Sequence, residues 1–242
     1  MSLPRIVVPE TLDGLAADDP TAMRSRADLR RVHRVMRTVS IVARALRATD
    51  VLQRPGPLRV LELGAGDGTL MLRVARTLGP VAASVELTLL DRIALIDEAT
   101  IAAYARAGWR ATVTTADVLD WSTAATEASS APRWDLIVAN LFLHHFEGDE
   151  LALILDAVAT RGNRVFACEP RRARIALGAA HLTGLIGANA VTREDAVLSV
   201  HAGFRGRELS VAWASRTAGW NLHEYPAGLF NHCFDARRTG SH

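Results

Sequence analysis

Residues 60–70, VLELGAGDGTL, constrain this chain more than any other stretch, because they set a strand, a glycine turn and a helix start in immediate succession. Residues 58–63 (LRVLEL) are almost wholly apolar, as in a strand buried on both faces of a parallel sheet. Gly64, Ala65, Gly66 and Gly68 then break the run. Glycine permits the sharp turn and lets a ligand approach where a Cβ would collide. Helical spacing resumes at Leu70, Val74 and Leu78. Such an order points backbone N–H groups and the positive end of a helix dipole at whatever fills the crevice. A glycine-rich turn with no ligand is the plain alternative, and the succession of elements weighs against it.

Spacing narrows the choice of ligand. A dinucleotide fingerprint needs G-x-G-x-x-G, and Thr69 stands where its third glycine belongs. A P-loop needs a lysine after its last glycine, and the chain contains no lysine at all. Glu62, just before the turn, is awkward beside a pyrophosphate but suits a ligand carrying an ammonium or a sulfonium. These residues resemble motif I of the class I S-adenosylmethionine (SAM) dependent methyltransferases, E-x-G-x-G-x-G, matched at Glu62, Gly64, Gly66 and Gly68. The resemblance implies SAM as cofactor and S-adenosylhomocysteine (SAH) as product. It also implies an α/β, Rossmann-like sheet of seven strands, six parallel and the last antiparallel, with helices on both faces.

Downstream, residues 85–90 (VELTLL) read as a strand ending at Asp91. An acid about 20 residues past the glycine loop is placed to accept hydrogen bonds from ribose hydroxyls. A helix over 94–107 closed by Gly108 follows, then a strand over 110–115 with Asp117 and Val118 at its end. In the family this acid and its apolar neighbour approach the adenine; a loop carboxylate is the plain alternative for Asp117. Residues 121–133 read as a surface connection. A strand over 134–139 runs into Asn140-Leu141-Phe142-Leu143-His144-His145-Phe146, which resembles motif IV of the small-molecule methyltransferases. It departs from the Asn/Asp-Pro-Pro-Tyr/Phe pattern of amino-directed DNA methyltransferases, since Leu141 and Phe142 stand where prolines would be. The resemblance covers residues 58–139 through specific motifs. It implies a cofactor-binding set of Glu62, Gly64, Ala65, Gly66, Gly68, Asp91, Arg92, Asp117, Val118, Asn140 and Leu141.

His144 and His145 are the candidate catalytic residues, since imidazole titrates in the range a general base needs. Adjacent side chains diverge, so one of the pair projects into the crevice. His145, farther past the strand end and beside Phe146 and Gly148, is the expected base. The plain alternative is a structural pair. No carboxylate at i+3 or i+4 completes a metal-ligand face apart from Glu147 and Asp149 in the turn, and no metal is expected.

Around this centre, residues 1–20 read as an irregular arm. Leu29, Val32, Met36, Val39, Ala43 and Leu46 then recur at helical steps, an amphipathic helix or helix pair. Eight arginines lie between Arg24 and Arg47, with Asp28 the one acid among them. They read either as a solvated face or as part of a helical lid of the kind small-molecule methyltransferases use, with His33 or an arginine towards substrate. The break QRPGP at 53–57 divides an arm and lid, 1–57, from a SAM-dependent methyltransferase domain, 58–242. Beyond motif IV come a helix over 149–159, a strand over 164–169 and an arginine cluster, Arg171, Arg172 and Arg174. An apolar helix through Leu177, Leu182 and Leu185 carries His181, and a helix over 193–202 has Thr192 and Asp195 as its capping pattern. Strands over 208–213 and 229–236, a hairpin-like pair around Tyr225-Pro226, complete the expectation. The family commonly builds its acceptor pocket after the fifth strand.

Composition excludes several chemistries. Every one of the 28 basic residues is arginine, which rules out a lysine nucleophile or Schiff base, and formal charge is only +2. Cys168 and Cys233, far apart, suggest a reduced protein in the cytoplasm. No apolar run approaches the roughly 18 residues of a membrane span. The expected reaction is methyl transfer to a small, partly apolar hydroxylated acceptor, a phenol or a polyketide- or quinone-like molecule, by O-methylation. RNA methylation and nicotinamide-dependent oxidoreduction are the alternatives. Against nucleic acid, the arginine helix lacks interleaved aromatics. Oligomeric state is left open, a homodimer among the options.

Overall fold

An arm over residues 3–16 precedes α1 (Pro20–Met36) and α2 (Thr38–Arg47), which break at Arg37 in a left-handed conformation. The computed structural model describes residues 3–16, 18–48, 52, 56–81, 83–127, 132–213 and 218–240. In order there follow β1 (Gly56–Leu63), α3 (Thr69–Leu78), β2 (Ala83–Asp91), α4 (Glu98–Arg106), β3 (Trp109–Thr115), α5 (Val118–Glu127) and β4 (Leu136–Asn140). Then come α6 (Gly148–Arg161), β5 (Arg164–Pro170), α7 (Arg174–His181), α8 (Ala190–Ala202), α9 (Glu208–Ala212), β6 (Trp220–Ala227) and β7 (Asn231–Arg238).

The strands form one sheet in the order β3-β2-β1-β4-β5-β7-β6, with β7 antiparallel to both neighbours and the other strands parallel. Successive side chains of β1 alternate between faces. Leu58 and Val60 join a core with Leu46, Met71, Val74 and Tyr104, while Leu61 and Leu63 join another with Ile154, Leu155, Trp213 and Phe234. Strand order reverses at β1 and β4, and a crevice opens outside the strand tips at such a switch point.

Several local expectations need correction. Residues 118–127 form α5 rather than a surface connection: Asp117 accepts the Leu119 N–H at 2.7 Å, and Ser122 and Ala125 are buried. Residues 128–131 lie outside the described residues, as do 53–55 of the QRPGP break, whose Gly56 and Pro57 already belong to β1. Helix α4 begins at Glu98 because Asp97 caps it, accepting from Thr100 N at 2.8 Å. The apolar helix through Leu185 stops at His181 and continues as a 3-10 turn over Thr183–Ile186. Asn189, not Thr192 with Asp195, caps α8. Residues 208–212 form a helix, not a strand, since the Glu224 carboxylate receives the N–H groups of Leu209 and Ser210 at its start. The final hairpin therefore pairs β6 with β7, and Tyr225-Pro226 lies within β6 opposite Cys233 and His232. Among the described residues no helix is long and apolar enough to cross a membrane.

Candidate active site

The switch point opens into a cavity of about 810 Å³. Its first wall is made of strand tips and the glycine loop. Ala65 N–H donates to Leu90 O at 3.0 Å and Gly66 N–H to Asp91 Oδ2 at 2.8 Å, while Asp91 Oδ1 takes the Ile93 N–H at 2.9 Å. Asp91 thus clamps the loop it was expected to face.

The glycines divide their work. Gly64 and Gly66 both have positive φ, 67° and 55°, but a Cβ at Gly64 would lie 2.2 Å from the Phe142 ring whereas one at Gly66 meets nothing within 4 Å. The first glycine admits a packing partner and the second leaves room beside the cavity. Gly68 starts α3 from behind the wall, its carbonyl accepting the Tyr104 hydroxyl at 2.6 Å.

Glu62 is buried, with Oε2 lacking any hydrogen-bond partner among the described residues; burial, reinforced by Asp67 and Asp91, pushes its carboxyl well above the usual carboxylate range. Asn140 Oδ1 is likewise buried without a partner. Two orphaned acceptors on one wall, next to space left open at Gly66, fit a ligand that presents N–H donors, as the ammonium of SAM does. Leu141 holds φ 50°, rare for a branched residue, and its N–H donates to Cys168 O at 2.9 Å. Val118 and Asp117 also line this wall, Asp117 exposed and engaged as the cap of α5. Arg92 reaches it too, but its guanidinium donates to Asp13 O at 2.7 Å and so ties the arm down.

The second wall comes from the arm, α1, the turn after β4, and the α7–α8 region. Glu169, fully buried at the end of β5, organises the turn by accepting N–H groups from Phe142, Leu143 and His144, and His144 Nδ1 at 2.8 Å. His144 Nε2 faces Glu10 Oε1 at 3.4 Å. Burial alone would lower the His144 pKa, but the two carboxylates outweigh it and raise it to about 9. Burial pushes Glu10 up, and His144, His145 and Ser199 nonetheless hold it below its ordinary value. His145, about a fifth exposed, has Nδ1 3.4 Å from Asp13 Oδ2, and its ring centroid lies 4.2 Å from that of His144 with both residues lining the cavity, so the pair does not diverge as expected. Burial, then the charge on His144, lowers its pKa. His33 also lines the cavity, and burial takes it down to about 4.

Of the residues singled out in sequence, His181 is exposed and does not line the cavity, and Arg172 is buried in structural bonds to Leu3 O, Gly203 O and Glu208. Cys168 and Cys233 prove to be opposite one another on β5 and β7, both free and buried. Asp28 is buried and accepts the Asn189 N–H at 2.7 Å, docking α1 on α8. Sequence reasoning missed Glu10, Asp13 and Glu169. Glu169 carried a signal, an acid ending a strand as Asp91 does; the arm acids carried none. The absence of a ligand face around the histidines was judged from sequence neighbours, and the fold supplies Glu10 from 134 residues upstream.

A family model described as lysine methyltransferase matches residues 38–175, more than half of the chain. No curated protein matches in sequence. Among solved structures, the plantazolicin methyltransferase BpumL, in complex with SAH, is similar at 13% identity and TM-score 0.62, with 91% of each chain covered. An O-methyltransferase family protein from Burkholderia thailandensis is similar at 17% identity and TM-score 0.59, over 92% of this chain. This chain spans only 62% of that protein's length. A small RNA methyltransferase is similar at 13% identity and TM-score 0.56, over 86% of this chain and 25% of the other. Likeness across such different acceptors carries the fold alone. With the family match running from α2 through the glycine loop to the start of α7, the chain belongs to this methyltransferase family, within the class I SAM-dependent enzymes.

Proposed function

We propose that the protein transfers the SAM methyl group to the oxygen of a small, partly apolar hydroxylated acceptor, a phenol or a polyketide- or quinone-like molecule. The observation that carries this reading is the composition of the second wall, where Leu29, Val32 and Met36 of α1, Phe142 and Phe146 of the turn, and Ile186 line the cavity together with His145. A concave, mainly apolar site with few polar groups suits a small molecule.

Bound SAM supplies a methyl on sulfonium, already a good leaving group, so the chain has to align the acceptor and exclude water. In this reading Glu62 and Asn140 take the ammonium, Asp91 the ribose hydroxyls, and Asp117 and Val118 border the adenine. Gly64, Ala65, Gly66 and Leu141 shape the methionyl channel, Gly68 sets the start of α3, and Arg92 secures the arm over it. Of residues 1–57, the arm and α1 act as the lid, while α2, whose Val42 and Leu46 share the core with Met71 and Val74, belongs with the domain over 58–242. His145 stays neutral at pH 7 and accepts the acceptor's proton, which a phenol of pKa about 10 does not lose unaided. His144, kept charged between Glu10 and Glu169, has no lone pair to offer and positions the turn.

The family description favours a second reading, an amine acceptor such as a lysine side chain. That match begins after the arm and α1 and ends before α8, so it speaks for the SAM half of the cavity more than for the acceptor wall. RNA is disfavoured by the engagement of Arg30 with Asp67 and of Arg31 with Asp28 and Gly187. Methyl-labelled SAM offered with a phenol panel, a lysine-bearing peptide and tRNA tests the choice. Label on phenols supports the proposal; label on peptide or tRNA with none on phenols replaces it.

A further inference from the structure

Glu10 of the arm and the adjacent His144 and His145 each offer one donor atom, and the three atoms lie within 4.8 Å of one another. All three side chains are shielded, with exposures of 14%, 2% and 22%. His144 is held in a particular way. Its Nδ1 is committed to Glu169, which is itself fixed by three backbone N–H groups, so Nε2 is aimed at Glu10, buried and without a hydrogen bond. An imidazole that gives one nitrogen to a carboxylate and presents the other to a cluster of donors is the arrangement that orients metal-binding histidines.

We propose that Glu10, His144 Nε2 and His145 bind one divalent transition-metal ion of the Zn2+ type, which displaces to solvent the Nε2 proton that His144 carries in the metal-free protein, with a coordination position open to the cavity. Two imidazoles and one carboxylate form a donor set that suits Zn2+, Fe2+ or Co2+ better than Mg2+, which prefers oxygen ligands. Metal–donor bonds of about 2.0–2.2 Å put tetrahedral donors roughly 3.4 Å apart. The Glu10–His144 pair, at 3.4 Å, already has that spacing. His145, partly exposed and paired with Asp13 at 3.4 Å, closes the remaining gap by side-chain rotation. One ligand belongs to the arm and two to the turn after β4, so the ion clasps the arm across the cavity. That the open position receives the acceptor oxygen, with His145 then a ligand rather than a base, rests on the function proposed above; binding of the ion does not.

The test uses the untagged full chain, freed of metal by chelator and titrated with Zn2+, with Mg2+ as control and Co2+ as a visible-absorption probe. One Zn2+ per chain, at least a hundredfold tighter than Mg2+, and Co2+ ligand-field bands are expected. Glu10→Gln and His145→Gln should each weaken Zn2+ binding tenfold or more, with unchanged circular dichroism and unchanged SAH binding. No stoichiometric uptake of Zn2+ or Co2+, or equal uptake in Glu10→Gln, overturns the proposal and leaves Glu10–His144–Glu169 as an ion-pair cluster only. SAH binding and phenol methylation by the metal-free protein are scored separately, so either reading can fail alone.

Discussion

Glu62, Asp91, Asp117 and Asn140 stand at or just past the tips of parallel strands, whereas Glu10, Leu29 and Asp195 reach the same cavity from an arm and two helices. The first group is positioned by sheet register, which the whole core enforces. The second is held by bonds between residues 161 to 189 positions apart: Asn189 to Asp28, Thr11 to Asp195, and Ser199 to Glu10. Each such bond contributes about 1–3 kcal/mol. A wall built this way loosens without unfolding the sheet, which is what admitting a substrate requires.

The largest expected effect separates two glycines within one wall. Gly64→Val drives a branched side chain into Phe142 at a left-handed φ and should cost about 3 kcal/mol or more. Thermal unfolding should then fall by roughly 6–12 °C for a domain of this size. Gly66→Val, facing open space, should lose only the backbone strain of about 1–2 kcal/mol while abolishing SAH binding. Equal destabilisation of the two variants would erase the distinction between packing and ligand space.

Across the cavity, His145→Ala should lower turnover about a hundredfold while SAH affinity stays nearly intact. Its pH signature follows from sign. The neutral imidazole is the active form and its pKa is lowered from 6.5, so turnover should be flat through neutral pH and fall only in acid. An inflection above 6.5 in the rate profile would transfer the proton acceptor's role to another group.

The difference between the walls also explains what could be read in advance. Strand tips are local: an apolar run followed by Gly64, Asp91 or Asn140 announces both the turn and the position of its polar residue. Nothing local says that Glu10 will meet Ser199, or that Asp28, an acid among arginines, will be buried against α8. Helix α9 was mistaken for a strand because Leu209, Val211 and Trp213 alternate with smaller or polar residues. The deciding carboxylate, Glu224, lies 15 residues beyond Leu209.

Smaller effects refine the comparison. Asp91→Ala removes a carboxylate that holds Gly66 and Ile93, and should weaken SAH by about 1–3 kcal/mol in calorimetry. Unchanged affinity would remove Asp91 from the site. Arg30→Ala breaks a half-exposed pair between α1 and the glycine loop, so SAH affinity should change by under about 1 kcal/mol, and less still at high salt. A loss as large as that of Asp91→Ala would mean the lid and the loop act as one unit.

On the proposed function, buried Glu62, whose Oε2 has no hydrogen-bond partner among the described residues, receives the ammonium of the cofactor. Without ligand its pKa is raised, and an ammonium beside it lowers that pKa, so binding expels a proton wherever pH lies between the two values. SAH titrated at pH 6 into the protein in two buffers of different ionisation enthalpy measures this directly. One SAH per chain with net proton release, the release vanishing in Glu62→Gln, is the predicted result; no saturable SAH binding, or the same proton count in Glu62→Gln, contradicts it.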